Sequence, residues 1–360
     1  MRRKKSRMAL LTLAVVLMAL SLTFVLPSGA ILTEAKQRYQ DEAPIDWGDD
    51  EEEIVEPDMG TSARPYRVIA TTAESDVSFT FGDDEASDAE TAVKALDIGM
   101  DTVGSAPVEA NFTAEGYADD TITVQIEEIK QDDSIYHVAY VDIASPTQLR
   151  TYVVGGVNST RTSPTTTLAQ SVNAVVAVNG DFYDKYTGGW IVRQGETVRR
   201  KASDNYDLLL IDENADFHLL TAGKTNQKNG ITALLEQHDI VNAFFFGPAL
   251  VMDGETCAIS EHYGWNPSGQ EPRAAIGQLG PLRYAIVTVD GRIDESSGVT
   301  LPTLAAFMAQ IGCTQAYNLD GGNSSALVYH NELLSIKGVE ERSVHDIIYF
   351  ASATEQGAAE

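Results

Sequence analysis

The sequence has few cysteines and few basic residues for its length. Only Cys257 and Cys313 occur among 360 residues, too few for a domain held together by disulfides. Cys313 lies in an apolar stretch, so we expect a small buried thiol there, with a Cys257–Cys313 bond as the alternative. Lysine and arginine number 25 against 53 acidic residues, a formal net charge of -28. Such a surface argues against a nucleic-acid partner, and any binding of phosphate must depend on a few locally gathered arginines.

Several motifs of well-known enzyme classes are also missing. The six histidines show no H-E-x-x-H or similar spacing, which disfavours a zinc site; they are His137, His218, His238, His262, His330 and His345. The G-x-S-x-G turn of serine hydrolases is absent. There is no internal repeat and no strict alternation of strands and helices, which disfavours a solenoid or a doubly wound fold.

Residues 1–30 have the pattern of a targeting segment. Five of the first seven residues are basic, and an uncharged, mostly apolar run follows from Met8 to Leu26. As a helix this run would measure about 28 Å, near the thickness of a bilayer core. The small residues Ser28-Gly29-Ala30 offer a cleavage site for signal peptidase. The segment is therefore a membrane anchor or a cleaved signal, and in both cases the remaining chain is expected outside the cytoplasm.

The next two segments carry little information about a fold. Asp41–Asp58 contains ten acidic residues and no basic ones. We interpret residues 31–60 as a disordered acidic linker, with a cation-binding tail as the alternative. Residues 61–116 show only weak alternation and are expected to form a poorly defined N-terminal extension.

The strand signals become clear from residue 117, and residues 117–353 are expected to form one domain. Alternating or β-rich runs predict strands at 121–126, 135–141, 174–178, 206–211, 243–252, 284–289, 316–319, 326–329 and 347–350. Helical patterns are confined chiefly to 165–171, 231–238 and 301–311. We therefore predict an α+β fold with a β-dominated mixed sheet as its core and flanking helices.

The stretch from Ala316 to Val328 is the most informative for chemistry. An apolar strand ends at Asp320, Gly321 and Gly322 follow, and then come the hydroxyls of Ser324 and Ser325. Glycines allow backbone N–H groups to approach an anion closely, and a carboxylate at a strand end can form part of a site. Because Asp-Gly is also a strong turn signal, a plain polar hairpin explains this stretch equally well.

Three further runs combine polar residues with strand ends. They are Asn179-Gly180-Asp181, Arg273 at the start of an apolar strand, and Arg342 shortly before the last strand. Each one alone is compatible with an ordinary turn or a solvated side chain.

Taken together and in order, these runs resemble the phosphodiester glycosidase family, which includes N-acetylglucosamine-1-phosphodiester alpha-N-acetylglucosaminidase. The resemblance extends over residues 117–352. The motifs that carry it are Asn179-Gly180-Asp181-Phe182-Tyr183, Phe246-Gly247-Pro248-Ala249-Leu250, Pro272-Arg273-Ala274-Ala275-Ile276-Gly277, Asp290-Gly291-Arg292, Asn318-Leu319-Asp320-Gly321-Gly322 and Glu341-Arg342. Two positions depart from the family pattern. Asn323 replaces a third glycine, and Asp181 occupies a position that is glycine in the N-acetylglucosaminidase just named, which is a lysosomal enzyme.

The resemblance implies hydrolysis of the bond between an anomeric sugar carbon and the phosphate of a phosphodiester. In that reaction Asp320, and next Asp181, would stabilise oxocarbenium character. Arg273 and Arg342 would bind the phosphate with N–H groups near Gly321 and Gly322. The expected substrate contacts are Asn179, Gly180, Gly321, Gly322, Ser324 and Ser325.

The resemblance leaves several properties open. The resemblance implies no required cofactor, and a divalent cation shared by Asp181 and Asp320 is the alternative. The expected substrate is a glycosyl phosphodiester or a surface glycan, such as a cell-wall polymer or exopolysaccharide. The alternative is a non-catalytic, surface-anchored protein that binds glycans or assembles polysaccharide. The sugar, the aglycone and the stereochemical outcome are not determined by the sequence.

Overall fold

The structure is a computed structural model, and it describes residues 104–183, 188–201, 203, 205–338 and 340–353. The expectations for residues 1–30, for residues 31–60 and for 61–103 concern residues outside these ranges. Within the ranges, no helix has both the length and the apolar character needed to cross a membrane.

Eighteen strands and three α-helices lie in the described part of the chain. The strands are β1 (Gly116–Ala118), β2 (Ile122–Gln131), β3 (Ser134–Ile143), β4 (Leu149–Val153), β5 (Val176–Asn179), β6 (Gly189–Arg193), β7 (Glu196–Lys201), β8 (Leu208–Asp212), β9 (Phe217–Leu220), β10 (Ile240–Phe245), β11 (Ala249–Met252), β12 (Glu255–Thr256), β13 (Arg273–Gly280), β14 (Arg283–Val289), β15 (Gln315–Leu319), β16 (Leu327–Tyr329), β17 (Glu332–Leu333) and β18 (Asp346–Phe350). The helices are α1 (Thr165–Ser171), α2 (Lys224–Leu235) and α3 (Leu301–Gln310).

The strands form three sheets, with orders β1-β2-β3-β14-β13-β15-β11-β12, β7-β6-β10-β8-β9 and β17-β16-β5-β18-β4. The predicted β-dominated α+β fold with flanking helices is confirmed. Where one mixed sheet was expected, every ladder between the named strands is antiparallel. Short hairpins such as β2–β3 and β13–β14 allow this arrangement, because antiparallel neighbours need no crossover helix.

The predicted strands and helices correspond to observed elements, with two instructive differences. The single strand predicted at 243–252 is divided into β10 and β11 by Gly247, which has a φ of 67°, and Pro248. Proline cannot donate to a ladder, so pairing stops there. Helix α2 begins at Lys224, earlier than the predicted 231, because its first half is polar and lacks an apolar period.

The helices cover the sheets with their apolar faces. Phe307 and Met308 of α3 are buried against the eight-stranded sheet, and the Phe307 ring stacks on Tyr136 at 4.0 Å between centroids. Leu168 and Ala169 of α1 are buried with residues of the sheet that contains β5 and β18. These contacts bury the sheet faces that α1 and α3 cover.

The packed structure extends further toward the N-terminus than the predicted boundary at 117. The N–H of Gly104 donates to the carbonyl of Val172 at 3.1 Å. Phe112 stacks on His330 at 4.1 Å and lies 4.6 Å from the ring of Tyr117. Residues 104–115 therefore pack on the domain and are not merely part of a loose extension.

Both cysteines are free thiols. Cys313 is buried, as the apolar context predicts, and burial raises the pKa of its thiol. The alternative of a disulfide between Cys257 and Cys313 is wrong.

Candidate functional site

The register of the strands gathers several strand ends at one place. Ala274 pairs with Leu319, so the start of β13 lies beside the end of β15. Asn179 pairs with Ile347, so the end of β5 lies beside the start of β18. The side chain of Asn179 links the two sheets by donating to the main-chain oxygen of Asp320 at 2.7 Å.

A cleft of about 410 Å³ opens at this junction. Its wall combines charged groups with aromatic rings. The lining residues are Phe182, Phe246, Trp265, Asn266, Glu271, Arg273, Arg292, Asn318, Asp320, Gly321, Gly322, Asn323 and Arg342. Three of the four residues predicted to be catalytic, namely Asp320, Arg273 and Arg342, are among them. Three guanidinium groups beside two carboxylates make this cleft cationic on a chain with a net charge of -28.

Asp320 is the carboxylate predicted to stabilise the reacting sugar. Its main chain is fixed on both sides, since its N–H donates to the carbonyl of Gly180 at 3.3 Å and its oxygen accepts from Asn179. The side chain is 12% exposed, and one carboxylate oxygen lies 3.8 Å from a terminal nitrogen of Arg342. The strand end thus holds a mostly buried carboxylate at the cleft wall, opposite a cation.

Arg342 is the more accessible of the two predicted phosphate-binding arginines. Its Nε donates to Oγ of Ser324 at 3.0 Å, and its guanidinium lies 5.1 Å from the ring centroid of Phe182. The side chain is 41% exposed. Because these contacts use only part of its five donors, the guanidinium can also bind an anion in the cleft.

Arg273 is engaged differently, since its guanidinium donates to main-chain carbonyls. The acceptors are Val299 at 3.1 Å, Trp265 at 3.1 Å, Asn266 at 2.8 Å and Gly269 at 3.0 Å. Burial lowers the pKa of Arg273 to about 10, which still leaves the side chain charged at neutral pH. Besides its predicted role in binding phosphate, Arg273 therefore has a structural role, because its hydrogen bonds fix the loop that follows Tyr263.

That loop is strained. Trp265 and Asn266 have φ values of 70° and 53°, in the left-handed region that non-glycine residues occupy at a cost of about 1–3 kcal/mol each. Arg273 binds the carbonyls of both residues and so stabilises this conformation. The loop places Trp265 in the cleft, where its ring stacks on Phe246 at 5.3 Å. Such a flat apolar wall suits the face of a sugar ring.

A third arginine, Arg292, also lines the cleft. Its guanidinium binds one carboxylate oxygen of Glu271 through two nitrogens, at 2.9 and 2.7 Å, and donates to Oδ1 of Asn323 at 2.5 Å. Burial raises the pKa of Glu271, but hydrogen bonds from Arg292 and Asn266 outweigh this and lower it overall. Asn323, the departure from the family's third glycine, thus connects the Asp-Gly-Gly turn to Arg292.

Asp181 does not line the cleft. Its carboxylate is fully buried, accepts from Arg193 at 2.6 Å and from the N–H of Phe245 at 2.8 Å, and Arg193 also binds Asp346 at 2.6 Å. Desolvation acts to lower the pKa of Arg193, but the charges of Asp181 and Asp346 outweigh it and raise that pKa. This placement differs from the predicted catalytic role of Asp181, because both carboxylate oxygens are bound inside the protein.

The predicted substrate contacts divide in a similar way. Asn179, Ser324 and Ser325 are buried, and Ser325 donates to the carbonyl of Arg273 at 2.7 Å. Gly321 and Gly322 line the cleft, but the N–H of Gly322 donates to the carbonyl of Pro272 at 2.7 Å. These groups position Asp320 and the two arginines more directly than they present donors to a ligand.

The remaining predicted contact, Gly180, is required by packing. A Cβ at this position would lie 2.5 Å from the Asp346 carboxylate. A side chain here is excluded by the buried carboxylate that Arg193 holds.

Some of these residues could have been found from the sequence and others could not. Arg292 lies in the run Asp290-Gly291-Arg292 that carries part of the family resemblance. Arg193 and Trp265 stand in segments without any motif. Among the residues that the structure describes, the cleft holds no cluster of three side chains close enough to share a metal ion. A cation shared by Asp181 and Asp320 remains a prediction.

Comparison with known proteins gives one family match. Residues 172–351, half of the chain, match the phosphodiester glycosidase family. An uncharacterised protein of Bacillus subtilis derived from the SPbeta prophage, YomE, is 34% identical over 108 residues. Those residues make up 30% of this chain and only 17% of the prophage protein.

The fold also resembles solved structures. The catalytic domain of zebrafish N-acetylglucosamine-1-phosphodiester alpha-N-acetylglucosaminidase, auto-inhibited by its pro-peptide, aligns with a TM-score of 0.50 and 17% identity over 69% of this chain and 87% of that one. A hypothetical protein from Synechocystis aligns with a TM-score of 0.44 and 18% identity, over 64% of this chain and 62% of that one. At these identities the likeness concerns the fold alone.

Proposed function

The chain belongs to the phosphodiester glycosidase family, and on that basis we propose that its cleft hydrolyses glycosyl phosphodiesters between the anomeric carbon and the phosphate. One observation carries the proposal. A carboxylate, Asp320, and a half-exposed guanidinium, Arg342, face the same cleft with 3.8 Å between their charged atoms. A bond between a sugar and a phosphate presents the complementary pair of groups.

The chemistry of the two halves of such a substrate fits the two sides of the cleft. As the glycosidic bond breaks, positive charge develops on the sugar, and the Asp320 carboxylate stabilises it as a nucleophile or as a base for water. Negative charge develops on the departing phosphate, and Arg342 offsets it, assisted by Arg292 and Arg273. Because a phosphate departs without full protonation, the reaction needs no general acid with a strongly raised pKa at the leaving group.

The aromatic residues of the cleft support a sugar as the occupant. Trp265, Phe246 and Phe182 lie on the wall of the same cleft as the arginines. Aromatic faces pack against the C–H face of a pyranose, while the charged groups hold the phosphate. A nucleotide or an inorganic phosphate would use only part of these contacts.

The test is turnover on a panel of sugar-1-phosphodiesters, including UDP-sugars and a methyl phosphodiester of N-acetylglucosamine. We expect release of free sugar by the wild type and a rate at least about 100-fold lower in Asp320→Asn. Since a charge that acts mainly at the transition state changes rate more than affinity, KM should change little in this variant. Release of the sugar phosphate instead of the free sugar would show cleavage on the wrong side of the phosphate.

One result would count against catalysis, and another against the role of Asp320. Wild-type protein that binds glycans but cleaves no member of the panel would favour the non-catalytic alternative, a glycan-binding or polysaccharide-assembly protein. An active enzyme with an unchanged rate in Asp320→Asn would remove Asp320 from its assigned role.

We further propose that the substrate is a glycan outside the cytoplasm, in the cell wall or in exopolysaccharide. The basic residues before the apolar run 8–26 support this location by the positive-inside rule. Protease added to intact cells or spheroplasts should digest the domain. Complete protection until the membrane is lysed would contradict the location, and the mature N-terminus would distinguish an anchor from a cleaved signal.

A further inference from the structure

A cluster of titratable side chains lies in the sheet β7-β6-β10-β8-β9, outside the cleft. Asp212 is the last residue of β8, His218 lies in β9, and His238 follows α2 just before β10. Glu213 is the next residue after Asp212. None of these four side chains lines the cleft with Asp320, so the proposed glycosidase chemistry leaves them without a role.

The potential ligand atoms of this cluster converge. Nε2 of His218 and Nδ1 of His238 each lie 3.0 Å from the same oxygen, Oδ2 of Asp212, and Oε1 of Glu213 lies 3.6 Å from Nδ1 of His238. The Asp212, His218 and His238 atoms all lie within 4.8 Å of one another. Four ligands in a tetrahedron around zinc, with bonds of about 2.1 Å, are separated by about 3.4 Å. The distances of 3.0 Å from Asp212 to each imidazole and of 3.6 Å from Glu213 to His238 lie on either side of this value.

The carboxylates are oriented toward the cluster by the main chain. Oδ1 of Asp212 accepts from the N–H groups of Asn214 and Asp216, both at 2.9 Å. Oε2 of Glu213 accepts from the N–H of Asp239 at 2.9 Å. Asp212 therefore uses one oxygen to fix its orientation and points the other toward the imidazoles, as outer-shell hydrogen bonds do in metal sites. Oε1 of Glu213 lies near His238 and also accepts from the side-chain amide of Asn214 at 3.4 Å.

The imidazole of His238 provides a second, independent observation. Its Nδ1 is buried and makes no hydrogen bond of acceptable geometry, although it lies close to the oxygen of Asp212. A nitrogen lone pair directed at a metal ion would satisfy this atom. The Asp212 side chain is fully buried, whereas those of His238 and Glu213 are 25% and 22% exposed, so an ion can reach the cluster from the solvent.

We propose that Asp212, His218 and His238 bind one zinc ion, with Glu213, next to His238, as the nearest side chain for a fourth ligand. Two imidazole nitrogens with carboxylate oxygens favour zinc, whereas calcium and magnesium prefer ligand sets made of oxygen alone. The ion would connect the β8–β9 hairpin to the chain between α2 and β10 and so stabilise this sheet. The ligands are separated by stretches of chain that match no compact motif, which is why the histidine spacing disfavoured zinc.

The experiment uses the whole chain after treatment with EDTA, titrated calorimetrically with Zn²⁺. We expect one zinc per chain, confirmed by elemental analysis, and a rise in melting temperature when zinc is added. Co²⁺ at the same site should give the visible absorption of a tetrahedral ion. Mg²⁺ and Ca²⁺ should neither bind at this site nor raise the melting temperature.

Two variants and one control make the assignment specific. His238→Ala and Glu213→Gln change partly exposed side chains, and His262→Ala changes an exposed histidine outside the cluster. Affinity for zinc should fall about 100-fold or more in His238→Ala, since loss of an outer-shell partner alone costs about 10- to 100-fold. Glu213→Gln should weaken binding less, and His262→Ala should leave it unchanged. Absence of stoichiometric zinc binding by the wild type, or undiminished binding in both cluster variants, would overturn the proposal.

Discussion

The carboxylate of Asp181 lies 2.6 Å from the guanidinium of Arg193, and both side chains are completely buried. Arg193 binds Asp346 at the same distance on its other side, which joins β6 to β18. The charge of Asp181 is therefore matched inside the protein, and Asp181 does not line the cleft that contains Asp320. This relationship leads to a prediction about stability instead of rate.

We expect Arg193→Met to lower the free energy of unfolding by about 3–5 kcal/mol, because it leaves Asp181 and Asp346 buried without a cation. Denaturant titration measures this loss. Lys130→Met, which removes a cation from an exposed pair with Glu128, is the matched control and should change stability by less than about 0.5 kcal/mol. Equal stability of the two variants would show that the buried pair contributes little.

The two predicted phosphate-binding arginines should separate in a mutational test. Arg342→Ala should lower kcat/KM by about 10- to 100-fold without lowering the melting temperature, since its side chain is 41% exposed and outside the core. Arg273→Lys should lower both, because an ammonium group cannot make the contacts of the guanidinium to four carbonyls.

Measuring kcat/KM and the melting temperature on the same preparations shows whether a variant loses activity alone or activity and stability together. Arg161→Ala, a change of an exposed arginine outside the cleft, serves as the control. If Arg273→Lys melts like the wild type, its contacts do not hold the loop that carries Trp265.

Gly180→Ala tests whether the strand end is packed as tightly as the structure indicates. The new Cβ would lie 2.5 Å from the Asp346 carboxylate, so either the strand or the buried side chains of Asp346 and Arg193 must move. We expect a loss of about 1–3 kcal/mol in stability from this overpacking. At Gly280 no heavy atom lies within 4 Å of an added Cβ, so Gly280→Ala should be nearly neutral. Urea titrations of the two alanine variants give the comparison.

The N-terminal boundary of the domain can be tested by truncation. A chain beginning at Gly116 lacks Phe112, which stacks on His330, and Gly104, which is bonded to Val172. We expect it to be less stable by roughly 2 kcal/mol or more than a chain beginning at Gly104, since the packing of an aromatic side chain is lost. Identical unfolding curves for the two chains would place the boundary at residue 116 after all.

The sequence by itself determined the parts of this protein that depend on local pattern. Period-two alternation located β2 and β3, apolar spacing located α3, and the Asp-Gly-Gly turn identified Asp320. These features could be predicted because a few neighbouring residues dictate each of them. The family resemblance, which rests on short motifs in order, further brought Arg273 and Arg342 into the predicted site.

Tertiary structure alone decided which charged groups meet. Asp181 and Asp320 both follow apolar strands, yet one is bound to Arg193 from β6 and the other faces Arg342 in the cleft. Likewise, Asp212 and His238 meet only because β8 pairs with β10. Long-range pairing of strands sets these distances, and burial then sets what each carboxylate can do. A local sequence pattern specifies neither the distance between two side chains nor their burial. Residues that look equivalent in the sequence therefore acquire different roles in the fold.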